Sequence, residues 1–84
     1  MYRRETPFTD GDAALLERLR RFRRETADKR GVPPYVIFSD ATMIEIVKAR
    51  PKNLVSLLSV RGIGEEKAKR YGTAIIGVIK GFED

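Results

Sequence analysis

Cysteine and histidine are both missing from the 84 residues. Without a thiol there is no disulfide framework, no thiolate metal site and no cysteine nucleophile. Without an imidazole, the common general base near neutral pH and the usual zinc ligand are gone too, and any catalysis would fall to carboxylates or lysines. The chain therefore reads as non-catalytic, with neither cofactor nor metal expected. Apolar runs are also short: none approaches the ~20 residues that cross a bilayer. Met1-Tyr2-Arg3-Arg4-Glu5 has no apolar stretch behind it, so it does not read as a secretory signal. An intracellular home follows by default.

What is present is positive charge. Lys and Arg number 17 against 12 Asp and Glu, a formal charge of +5. Such a surface attracts polyanions, although charge alone names no ligand. Charged residues at 35% beside 42% hydrophobic fit a folded domain rather than a disordered chain. The length allows one small domain, in which roughly 60% of the unfolded surface can be buried.

Residues 1–12 combine charge, Pro7, Gly11 and a turn-prone Thr9-Asp10-Gly11-Asp12, with only Tyr2 and Phe8 to bury. They read as a linker or arm at the end of something longer, ahead of a helical domain over 13–84. Asp10 and Asp12 lack the further ligands a divalent ion needs, and Asp12 suits a helix cap. From Ala13 to Arg30, Leu15, Leu16, Leu19 and Phe22 follow the spacing of an amphipathic helix, which Gly31 ends. On a helical wheel Arg20 and Arg24 point away from that stripe, with Arg23 and Arg30 at its margin. Glu17–Arg21, Arg24–Asp28 and Glu25–Lys29 are spaced as i,i+4 pairs worth a few tenths of a kcal/mol each.

Val32-Pro33-Pro34-Tyr35-Val36-Ile37-Phe38 predicts a connector with one tight turn, since its prolines oppose helix just before them. Ser39-Asp40-Ala41-Thr42 starts a helix carrying Met43, Ile46 and Val47 to Arg50, which Pro51 stops. Ile44 falls outside the buried stripe. Asn53 caps a short helix with Leu54, Leu57, Leu58 and Val60. Glu65 to Tyr71 reads as helix, Gly72-Thr73 as a break and new cap, and Ile75 to Phe82 as a closing helix. Met43, Leu54, Leu57, Leu58, Ile75 and Ile79 are expected in the core. No stretch alternates with period two, so the fold class is all-α.

Arg61-Gly62-Ile63-Gly64 lies between the short helix and the next one. Two glycines one residue apart permit a hairpin that aims backbone N–H groups outward at a helix N-terminus, where an anion is favoured. The run resembles a helix-hairpin-helix turn, with Arg61 where that motif often has proline. Alternatively Gly62 and Gly64 only allow the close turn and Ile63 plugs the core, and Glu65 and Glu66 would oppose a phosphate. The spacing does not fit a Walker A loop.

A wider resemblance spans about Leu15 to Phe82. An Arg-rich first helix, Pro33-Pro34-Tyr35-Val36-Ile37-Phe38-Ser39-Asp40-Ala41-Thr42, Pro51, Gly62-Ile63-Gly64 and Lys69-Arg70-Tyr71-Gly72 follow one another in the order of the HRDC domain. That helical module occurs near the C-terminus of RecQ-family helicases and of ribonuclease D. The resemblance implies a compact bundle of about five helices, without catalysis of its own. It further implies auxiliary binding of single-stranded or branched DNA, within repair and recombination, as a monomer beside the helicase core of the parent chain. It places Tyr35 on the nucleic-acid face, where an exposed ring could stack on a base; the other reading packs that ring against the first helix. Arg20, Arg24, Lys29 and Arg30 on the first helix join Arg61, Lys67, Lys69 and Arg70 on the hairpin side as candidate phosphate contacts. Not all of them can share one face. Two other functions fit the same features: a protein-interaction or intramolecular regulatory module of the helicase, and an RNA-binding accessory domain of a ribonuclease D-like exonuclease.

Overall fold

Helix α1 spans Asp10–Arg30, three residues earlier than its apolar periodicity indicates. The difference lies in the cap. Thr9, not Asp12, is the N-cap: its hydroxyl accepts from the Asp12 N–H at 3.0 Å while the Asp12 carboxylate accepts from the Thr9 N–H at 3.2 Å. This reciprocal box satisfies two backbone donors at the start of the helix, so Asp10 and Gly11 are drawn into the first turn. Gly31 closes α1 in the left-handed region (φ 68°, ψ 36°), and the Val32 N–H reaches back to the Ala27 carbonyl at 3.0 Å. The computed structural model describes residues 8–83, so the expected arm falls partly outside the described residues, Tyr2 included.

The proline connector contains a helical turn of its own, α2 (Pro34–Ile37). Pro34 is tolerated because the first helical N–H needs no partner there, and the Val36 N–H donates to the Pro33 carbonyl at 3.0 Å. Ser39 caps α3 (Asp40–Ala49) by accepting from the Thr42 N–H. Asn53 does the same for α4 (Leu54–Leu58) through the Ser56 N–H at 2.8 Å. Helix α5 runs without interruption over Glu65–Glu83. The expected break at Gly72-Thr73 is absent. Gly72 is buried, and a Cβ there would lie 2.7 Å from Leu54 Cδ2 and 3.3 Å from Leu57 Cδ2. Gly72 therefore serves as the flat spot on which α4 rests, and its stripe-mates Tyr71, Ile75, Ile76 and Ile79 hold the helix together by burial.

Helix α1 packs against α2, α3 and α5, and α4 packs on α5. The core between them draws on Leu15 and Leu19 of α1, Ile37 and Phe38, Met43, Ile46 and Val47 of α3, and Ile75 and Ile79 of α5. Leu57, Val60 and Ile63 fill it from the α4 side. Leu54 and Leu58, expected in the core, are instead 44% and 42% exposed. A five-residue helix lying on α5 can turn only one of its positions fully inward, and Leu57 takes it. Ile44 reaches the surface, as its place on the wheel indicates. Arg23 is the one buried guanidinium of α1: it donates to the Phe38 carbonyl at 3.0 Å and pairs with Asp40 at 2.8 Å. It thereby stitches α1 to the junction of α2 and α3. Among the described residues no strand forms, and no helix is long and apolar enough to cross a membrane.

Candidate nucleic-acid interface

The prolines that start α2 and the extended Phe38 that ends it leave a single turn with two faces. Ile37 and Phe38 are fully buried, whereas Tyr35, two residues earlier, is 69% exposed. The packed alternative for that ring is therefore not adopted. Its neighbour Val36 lines a shallow groove of 170 Å³ with Arg30, Glu66, Lys67, Arg70 and Tyr71. Arg30 at the end of α1 thus meets Lys67 and Arg70 from the first half of α5, although some forty positions separate them in the chain.

The groove orders its cations unequally. Arg30 donates to the Tyr71 hydroxyl, and its guanidinium lies 6.0 Å from the Tyr71 ring centroid. That contact holds the arginine against the groove wall while its exposed edge keeps donors for a ligand. Arg70 Nη2 lies 3.3 Å from Glu66 Oε2 one turn away, a pair at the surface that bends the guanidinium toward its own helix. Lys67 is half-buried and has no carboxylate within salt-bridge distance among the described residues. The groove thus offers a tied guanidinium, a paired one and an ammonium beside an outward phenol ring.

The other candidates lie elsewhere. Positions on α1 advance by about 100° each, which puts Arg24 and Lys29 about 140° apart, on different flanks of the helix. Arg20 pairs with Glu17 at 3.4 Å, and none of the three expected i,i+4 pairs on α1 forms among the described residues. Lys69 is exposed on α5 but does not line the groove. Arg61 lines a separate depression with Glu45, Ala49, Ser56, Ser59 and Val60.

Gly62 has φ +96°, and a Cβ on it would collide with the Thr42 hydroxyl, so a steric reason for glycine is present there. Ile63 is buried beneath the turn. Gly64 provides the carbonyl that accepts from the Ala68 N–H at 2.9 Å, opening α5. The acidic pair Asp10 and Asp12 forms no cation site: Asp12 is occupied by the Thr9 N–H and by Arg50 at 2.7 Å. Among the described residues no three His, Cys, Asp or Glu cluster in a way that could hold a metal.

The groove roles of Tyr71 and Glu66 are not legible in the sequence. Tyr71 stands in the apolar stripe of α5, and nothing in its spacing reveals that its hydroxyl receives Arg30. The sequence shows Glu66 as a charge opposing a phosphate at the hairpin, but not its pairing with Arg70, through which it tempers the groove. Only the crossing of α1 over α5 makes either role visible.

The HRDC domain family model matches residues 12–79. The ATP-dependent DNA helicase RecQ of Bacillus subtilis (strain 168) is 44% identical over 68 residues, covering 81% of this chain and 12% of the helicase. The ATP-dependent DNA helicase UvrD2 of Mycobacterium bovis is 38% identical over 77 residues, covering 92% of this chain and 11% of the helicase. The chain thus spans about an eighth or less of the relatives it matches. In structure it is similar to a chain described as D. radiodurans RecQ HRDC domain 3, with a TM-score of 0.85 and 34% identity, over 87% of this chain and 96% of that one. Family match, sequence relatives and fold agree with the five helices described above: the chain belongs to the HRDC domain family.

Proposed function

We propose that this domain is a non-catalytic accessory module that holds single-stranded or branched DNA weakly beside the motor of a parent helicase. The observation that carries the reading is the 69% exposed ring of Tyr35, next to a groove where Arg30, Lys67 and Arg70 converge from two helices. A base stacks on the phenol face, and the neighbouring phosphates exchange their counterions for the three cations. Stacking tolerates any base, so the contact reads strand flexibility and shape rather than sequence. The relatives lend support, since those described above are named as DNA helicases. Arg20, Arg24, Lys29, Lys69 and Arg61 act only as a diffuse field that raises the encounter rate.

The test is binding of a fluorescent single-stranded oligonucleotide to the 84-residue chain at low salt. Tyr35→Ala should weaken binding about fivefold or more, as loss of one stacking contact implies. Its thermal midpoint should stay unchanged, because the ring touches solvent rather than core. Absence of binding to single-stranded, forked and junction DNA, or binding indifferent to Tyr35, overturns the reading. Tighter binding of RNA of equal length moves the substrate to RNA.

A further inference from the structure

Five large hydrophobic side chains are exposed among the described residues, and three of them, Leu54, Val55 and Leu58, occupy the single turn of α4. They form one patch, since positions 54, 55 and 58 fall within about 100° of helix surface. Val55 is 77% exposed, more than Tyr35. Alongside runs a groove of 430 Å³ whose floor is made by Leu54 with Thr73, Ile76 and Gly77 of α5. It shares no lining residue with the Tyr35 groove.

The rim is cationic. Lys52 and Lys80 line the groove at its edges, and Lys69 stands one turn before Thr73 on the same face of α5. Lys52 is held by Glu83 at 2.9 Å, while Lys80 has no carboxylate within salt-bridge distance among the described residues. An apolar floor with an ammonium rim is complementary to a chain that alternates aliphatic or aromatic anchors with carboxylates. Nucleic acid fits poorly, because the floor carries no aromatic ring and phosphates would leave Leu54, Val55 and Leu58 uncovered. A second copy fits poorly too: a two-fold contact through this patch would set Lys52 and Lys80 against their equivalents.

We propose that the α4–α5 groove and the adjoining α4 patch dock an acidic amphipathic protein segment, its apolar side chains on Leu54, Val55, Leu58 and Ile76 and its carboxylates on Lys52 and Lys80. This site is independent of the nucleic-acid groove. The domain then couples two partners of like charge on separate surfaces, a nucleic-acid strand and an acidic polypeptide.

Amide chemical shifts of the isotope-labelled chain, titrated with a short synthetic peptide bearing Leu and Phe at helical spacing among Glu and Asp, test it. Saturable shifts are expected at Leu54, Val55, Leu58, Ile76 and Gly77. Val55→Ser and Leu58→Ser, both at exposed positions that leave the core intact, should each weaken the peptide about tenfold. Lys80→Glu should weaken it as well, and Tyr35→Ala should leave it unchanged. The proposal is overturned if the shifts centre on Arg30, Lys67 and Arg70, or if a peptide with Lys and Arg in place of the acids binds equally. It is overturned equally if an all-glutamate peptide matches the amphipathic one, or if α4 shifts with protein concentration alone.

Discussion

A methyl group added at Gly62 would run into the Thr42 side chain, on a backbone already at φ +96°. Thr42 cannot yield easily, because its hydroxyl accepts from the Ser39 hydroxyl at 3.1 Å and its N–H is the one Ser39 caps. Backbone strain and overpacking then add, so Gly62→Ala should destabilise the domain by about 2–4 kcal/mol in denaturant unfolding. Gly72 offers a contrast. A Cβ there meets Leu54 Cδ2 at 2.7 Å, the end of a flexible, 44% exposed side chain that can swing aside, and the buried Leu57 Cδ2 at 3.3 Å, which has to give by only a few tenths of an ångström. Alanine also improves helix propensity by about 1 kcal/mol, so Gly72→Ala should fall within about 1 kcal/mol of the parent. Equal losses at the two sites would contradict this account. The tight turn at Gly62 is legible in the sequence because Gly-Ile-Gly marks one locally. Thr42, twenty positions away, gave no local sign of being the obstacle.

At the scale of elements, the ends of α1, α3 and α5 meet at Arg50. This residue closes α3 in the left-handed region (φ 46°) just before Pro51, an unfavourable place for a branched-chain-free but bulky side chain. Its side chain compensates by pairing with Asp12 at 2.7 Å and Glu83 at 3.3 Å, and its guanidinium and that of Arg18 lie 5.6 and 5.5 Å from the Phe82 ring centroid. The Arg50 hydrogen bond holds the Asp12 carboxyl below its usual range, and Lys52 foremost, then Arg50, does so for Glu83. A carboxyl depressed in the folded state binds protons more readily once unfolded. The stabilisation is therefore fully present above about pH 4, the ordinary carboxylate value, and is lost as pH falls through the lower folded values. Thermal midpoints measured from neutral to acid pH should drop below about pH 4 in the parent chain. Arg50→Met should start lower at neutral pH and show a flatter acid limb; an unchanged limb would remove the clamp from the explanation. None of this network was legible beforehand, since its members lie at three separate helix ends. Helices were legible wherever apolar spacing and caps agreed, as at Ser39, Asn53 and Gly31. Their packing is not legible at Gly72, where burial outweighs propensity, nor at α4, where apolar content suggests core but helix length allows only Leu57 inside.

For the molecule as a whole, the formal charge of +5 is spread around a body of 35 × 26 × 23 Å, so few of the cations can touch one strand together. The groove gathers three, Arg30, Lys67 and Arg70, with Glu66 among them. Each phosphate neutralised on a single strand contributes about −0.7 to the slope of log K against log salt, which gives a slope of about −2 for three contacts. Lys67→Ala should flatten that slope by about 0.7 and weaken binding of all sequences alike. Glu66→Gln should act in the opposite sense on affinity, by releasing Arg70 and removing the opposing charge. A slope steeper than about −4 would require Arg20, Arg24 and other dispersed cations to bind directly, and would shift the interface off the groove. A slope this shallow is what the weak accessory contact proposed above requires. Under the proposed function, tethering to a motor that already holds DNA would give an effective concentration of about millimolar, at which a few phosphate contacts and one stacked base would suffice. The tethered domain should therefore lose its hold on DNA with rising salt far less steeply than a protein that covers the strand with charge.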